Sequence, residues 1–234
     1  MSVFRRGKRG DREVEAGPAV DEVSPGAADS LTDRDRGPWD RAEVAERGRR
    51  VDLGALWVPG RDGMQLRMEV EKSSKIVTAA AVSLEGSALQ LQVFAAPRTA
   101  GIWDEIRSEI AESVTKQGGS VDDLPGPFGR ELLARLPVRT AEGRTGHRPA
   151  RFIGYDGPRW FLRGVLTGRA AIEPSEAVAL EEVFADTVVV RGGEPRAPRE
   201  LLALTVPGSR AVPAPAPAAT PDPLTRGPEI TEIH

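Results

Sequence analysis

Asp122 and Asp123 stand side by side before the run Pro125-Gly126-Pro127-Phe128-Gly129. A paired carboxylate beside a glycine-rich loop is a chemistry that holds Mg²⁺ or serves as a general base. No third ligand accompanies the pair, so two solvated loop aspartates are the weightier reading. Arg130, Arg151, Arg159 and Arg163 are grouped near one aromatic stretch. Converging guanidinium forks hold anions through paired hydrogen bonds, although arginines on the rim of a sheet, paired with local carboxylates, are the commoner outcome. Histidine occurs only at His147 and His234, and cysteine is absent. Histidine acid–base catalysis, a Ser-His-Asp triad, thiolate chemistry and a zinc site therefore have no residues to build them. The only Gly-Lys pair, Gly7-Lys8, lacks the spacing of a phosphate loop. Residue types thus call for no cofactor and lean away from an enzyme.

The stretch Arg151 to Leu166 holds Phe152, Tyr155, Trp160 and Phe161, four of eleven aromatics. Two apolar runs flank Asp156-Gly157, the pattern of a β-hairpin. Pro158 lacks an N–H, which argues for a four-residue loop, Asp156 to Arg159. In that register Tyr155 faces Trp160 and Ile153 faces Leu162, while Phe152 meets Arg163 on the other face as a cation–π pair. The hairpin is more readily the middle of a sheet than a binding surface. As candidate contacts for a ligand or partner the sequence offers Phe128, Arg130, Arg151, Tyr155, Arg159, Trp160 and Arg163, with Ile230 and Ile233 at the far end.

Around this stretch the elements follow from periodicity. Residues 1–36 are charged and poor in large apolar side chains, the composition of a disordered arm. A short helix is expected from Trp39 to Arg47, stopping at Gly48. Leu56–Val58, Met64–Val70, Ile76–Leu84 and Leu89–Val93 read as four strands of one antiparallel meander, with Gln65, Arg67, Glu69, Gln90 and Gln92 on its wet face. Ile102, Ile106, Ile110 and Val114 recur at helical spacing, widened by Trp103, which predicts a helix from Ile102 to Lys116 that stops at Gly118-Gly119. Val121 to Gly129 reads as loop, Arg130 to Val138 as strand or helix, and Ala141 to Gly146 as turn. A second helix is expected from Pro174 to Arg191, presenting Ala177, Leu180, Phe184 and Val188. Each helix follows a hairpin. The fold class is α+β, an antiparallel sheet with both helices packed on one face in a two-layer sandwich. The globular domain spans 37–207. Residues 208–225 form an extended Pro/Ala linker, and 226–234 a short tip suited to docking on a sheet edge or partner.

A net charge of −3 gives no global reason to bind nucleic acid, and no apolar run reaches a membrane span of roughly 18 residues. Acidic and amide groups on the wet face further disfavour a phosphate track. Without cysteine or an export leader, a reducing cytoplasm is the simplest home. Four lysines beside twenty-eight arginines, and no asparagine, suggest a GC-rich genome.

Three strings carry a family resemblance: Gly126-Pro127-Phe128-Gly129; Arg151-Phe152-Ile153-Gly154 with Asp156 to Gly164; and Gly86 to Arg98. They resemble an actinobacterial domain-of-unknown-function family, number thirty-seven ten of that series, over about Gly37 to Pro207. Arg226 to Ile233 is similar to that family's ending. The resemblance implies a cytoplasmic actinobacterial protein and brings no activity, cofactor or catalytic residue.

Function then rests on the residues. A non-enzymatic binding or adaptor module is expected, with a protein partner or second copy engaged through the sheet edge, the aromatic hairpin or the C-terminal tip. The alternative is a small enzyme or anion-binding protein using Asp122, Asp123, Arg130 and Arg159.

Overall fold

The computed structural model describes residues 36–99, 101–139 and 145–208. The expected arm before Arg36, the linker beyond Gly208, the tip with Ile230 and Ile233, and most of the Ala141–Gly146 turn lie outside the described residues.

Period-two alternation builds the first meander. Strands β4 (Gln65–Val70), β5 (Val77–Leu84) and β6 (Ser87–Ala95) pair in succession. Leu66 and Met68 lie opposite Val82 and Ala80, which lie in turn opposite Leu89 and Leu91. Glu85 and Gly86, both at positive φ, close the β5–β6 turn. Strands β7 (Ser120–Gly126), β8 (Gly129–Arg139), β9 (Thr145–Gly157) and β10 (Trp160–Thr167) complete a seven-stranded antiparallel sheet of order β4-β5-β6-β10-β9-β8-β7. A second sheet, of order β1-β11-β3-β2, is formed by β1 (Trp39–Asp40), β2 (Arg50–Asp52), β3 (Leu56–Pro59) and β11 (Val188–Val189).

The antiparallel α+β sandwich expected from the sequence is the fold observed, but several elements differ. Leu56–Val58 belongs to the small sheet rather than the meander, because β2 and β11 occupy both its edges. Trp39 and Asp40 are strand, followed by one 3-10 turn at Arg41–Glu43 in place of a longer helix. Val121 to Gly126 is the edge strand β7, not loop. At an edge one side of the backbone needs no partner, so Pro125 and two aspartates are tolerated there. Arg130 to Val138 is strand.

Helix α1 (Trp103–Lys116) agrees with its expected span, whereas α2 (Pro174–Asp186) stops five residues before Arg191. Val188 and Val189 are β-branched and fully buried as strand between β1 and β3.

The two helices lie on opposite faces of the large sheet, not on one. Leu162, Leu166, Ile153, Val93, Leu91 and Leu89 pack with Ala177, Leu180 and Phe184 of α2 and with Leu56, Val58 and Val189 of the small sheet. On the other face Phe161 packs with Ile102 and Trp103, joined by Phe94, Phe152, Ile106 and Ile110. The cause is the continuous apolar run Trp160-Phe161-Leu162, buried on both sides at the sheet centre. Two glycines let the helices approach. A Cβ at Gly154 would lie 2.4 Å from the Trp103 ring, and one at Gly164 would lie 3.0 Å from Phe184. A two-fold axis relating the antiparallel neighbours β6 and β10 therefore does not relate α1 to α2.

The hairpin turn is also tighter than expected. Gly157 pairs with Trp160, leaving Pro158 and Arg159 as a two-residue turn with Arg159 at φ 63°. Bonds next to such a turn come from its flanking residues, so the absent Pro158 N–H removes nothing. Tyr155 faces Leu162 and Ile153 faces Gly164, a register slip of two that leaves every side chain on its expected face. Arg163 accordingly lies over Phe94 at 5.5 Å rather than over Phe152.

Candidate functional site

Neighbouring residues on a strand point to opposite faces, and this separates Asp122 from Asp123. Asp122 accepts from Arg135 Nη1 at 2.8 Å. Asp123 accepts from Arg130 Nε at 2.9 Å and lies 3.3 Å from Arg107 Nε of α1. The two carboxylates do not form a shared metal or base site. Phe128, in the β7–β8 turn, packs edge-on against Phe184 at 4.7 Å with Arg36 over its ring at 5.3 Å. A shallow depression on α1 is lined by Glu109, Glu112, Ser113, Lys116 and Gln117, none of them from that turn.

The hairpin residues are mostly structural. Trp160 is fully buried and donates from Nε1 to Asp40 Oδ2 at 2.7 Å, which removes it from any partner surface. Half-buried Tyr155 lies 6.0 Å from it. Asp156 accepts from the backbone N–H groups of Ile102 at 2.8 Å and Trp103 at 3.2 Å, tying the hairpin to the first turn of α1. Arg151 is buried between Glu131, at 3.5 Å, and Glu181 of α2. Two carboxylates share one guanidinium there. Burial pushes the Glu131 carboxyl above its ordinary range; Arg151 pulls it back only in part, and Glu181 pushes it up further. Arg163, on the opposite face, bonds to Gln92 Oε1, and burial lowers its pKa. Arg130, Arg151, Arg159 and Arg163 are thus spread over two faces and a turn, and do not converge.

The Arg159 turn instead joins segments that carry other arginines. Its carbonyl accepts from Ala96 N at 2.9 Å, which brings the turn to the end of β6, where Arg98 follows. The segment after β11 returns to the same end: Ala95 N donates to Glu200 O at 2.8 Å, and Arg199 N to Ala95 O at 2.7 Å. This return carries Arg191 and Arg196. Sequence reasoning missed Arg98, Arg191 and Arg196 because three distant segments supply the group. The available signal was the repetition of Arg191, Arg196 and Arg199 in a coil rich in glycine and proline.

The other exposed feature is an edge. Among the described residues no further strand pairs with the outer side of β4. Leu66 and Met68 there are only partly buried against the main core, and Val70 is 48% exposed. No helix among the described residues is long and apolar enough to cross a membrane.

A family model described as a protein of unknown function (DUF3710) matches residues 37–212. The chain belongs to that family. The DUF3710 match covers both sheets, both helices, the outer β4 edge and the arginine-bearing end. No curated protein matches the chain in sequence.

Proposed function

We infer that this chain is a cytoplasmic, non-enzymatic binding module that takes an extended segment of a protein partner as an added strand on β4. The supporting observation is that edge, unpaired on its outer side among the described residues. Its outer backbone groups await a ladder, and its half-covered Leu66 and Met68 would be closed by the arriving strand. The opposite edge, β7, carries Pro125 and the aspartates held by Arg130 and Arg135, which blunt it. The buried hairpin offers little surface beside it. Absence of cysteine suits a reducing compartment.

The test is affinity capture with the full chain and with Leu66→Lys, which points a charge inward at the edge. A partner bound by the native chain and lost by a folded Leu66→Lys, with the backbone amides of residues 65–70 protected from exchange in the complex, is the expected result. Equal capture by both chains, or protection elsewhere than β4, would overturn the reading. A dimer abolished by Leu66→Lys would make the partner a second copy.

A further inference from the structure

We propose that the end of the large sheet formed by Arg98, Arg159, Arg191 and Arg196 is a binding site for a phosphate oxyanion. Three chain segments converge there: the exit of β6, the β9–β10 turn and the return after β11. The backbone bonds from Ala96 to Arg159, from Ala95 to Glu200 and from Arg199 to Ala95 fix this convergence.

Among the described residues the carboxylate at this end is that of Glu200, and it is already engaged. Glu200 accepts from Arg196 Nη1 at 2.7 Å and from Ala197 N at 3.0 Å, bonds that hold its pKa below the ordinary value. Nearby Asp156 is occupied by the α1 backbone, and Arg199 turns away to Glu105 and Glu109. Arg98 and Arg159 therefore have no carboxylate among the described residues. Arg191 is held by the carbonyls of Gly192 and Glu194, and its buried Nε has no partner. Burial first, then the charges of Arg159, Arg196 and Arg98, depress its pKa, as expected for crowded like charges.

Arg159 occupies the left-handed second position of the two-residue turn after Pro158, at the tip of the hairpin. Several guanidiniums carried to one end of the sheet match an anion with three or more acceptor oxygens better than a single carboxylate.

The experiment titrates the full chain with inorganic phosphate and pyrophosphate by calorimetry and thermal shift, with ionic strength held constant by chloride. Arg98→Gln and Arg159→Gly are compared with Arg67→Gln, a change on β4. Arg159→Gly relieves the positive φ, so a lost ligand response cannot be assigned to unfolding. Saturable binding in the native chain and in Arg67→Gln, weakened at least about tenfold in each of the other two variants, is expected for a loss of charge-assisted bonds. Phenyl phosphate binding as well as the free ion would assign an open site for phosphate esters, and preference for the free ion a closed one. Absence of saturable binding, undiminished binding in Arg98→Gln and Arg159→Gly, or an equal shift from chloride alone would overturn the proposal.

Discussion

Glu131 carries the charge whose environment is least favourable to it. Its Oε2 is buried without a partner, and the Arg151 guanidinium is shared with Glu181. A carboxyl whose folded pKa is raised contributes stability that is fully present below its unfolded pKa and lost as pH rises through the folded value. Glu131→Gln removes the buried charge while keeping the side chain's shape and should therefore raise stability at neutral pH by on the order of 1 kcal/mol. It should also flatten the stability–pH profile above the ordinary carboxylate range, read by urea denaturation at a series of pH values. Glu131 is not legible in the sequence because nothing local separates it from an exposed strand glutamate; its surroundings are set by Arg151 of β9 and, through that guanidinium, by Glu181 of α2. Arg159 was legible as a candidate, and its companions were not. Asp122 and Asp123 looked paired only because adjacency along the chain is easily mistaken for adjacency in space.

At the scale of elements, the hairpin β9–β10 organises both layers. Asp156→Ala removes an acceptor from two N–H groups at the start of α1 and should cost about 1 kcal/mol, with lost exchange protection confined to that helix's first turn. Gly154→Ala drives a methyl group into the Trp103 ring, and Gly164→Ala drives one toward Ile153 and Phe184. Each should cost roughly 1–3 kcal/mol by overpacking. Gly154 and Gly164 are diagonal neighbours across β9 and β10, and a methyl at Gly164 presses on Ile153 beside Gly154, so the double variant should depart from additivity by about 0.5 kcal/mol or more, measured by equilibrium denaturation. Both helices were readable from their apolar spacing, as were the three strands of the first meander. The end of α2 was not, since Val188 continues the helical spacing and only the gap between β1 and β3 makes it strand. The β7 edge is hidden in the sequence for the converse reason: Pro125 and the aspartates read as breakers, yet the outer side of β7 has no partner strand among the described residues.

For the whole molecule, the return after β11 closes the fold. Leu202 N donates to Val93 O, and Leu204 N to Val77 O, both at 2.9 Å, so this segment fills the space where β5 and β6 part. Leu202 and Leu204 are each 4% exposed in the main core. A chain ending at Gly208 should keep its midpoint of thermal unfolding, whereas one ending at Pro198 should lose more than about 4 kcal/mol, the scale of removing two buried leucines. Calorimetry of the two chains checks this. By itself the sequence determined the class of the fold, its antiparallel strands, its two amphipathic helices and the centrality of the aromatic hairpin, because side-chain period and turn residues act over a few neighbours. Tertiary structure alone decided which face each helix covers, which β-edge is unpaired among the described residues and which arginine-bearing segments converge, because those depend on contacts between segments far apart in the chain.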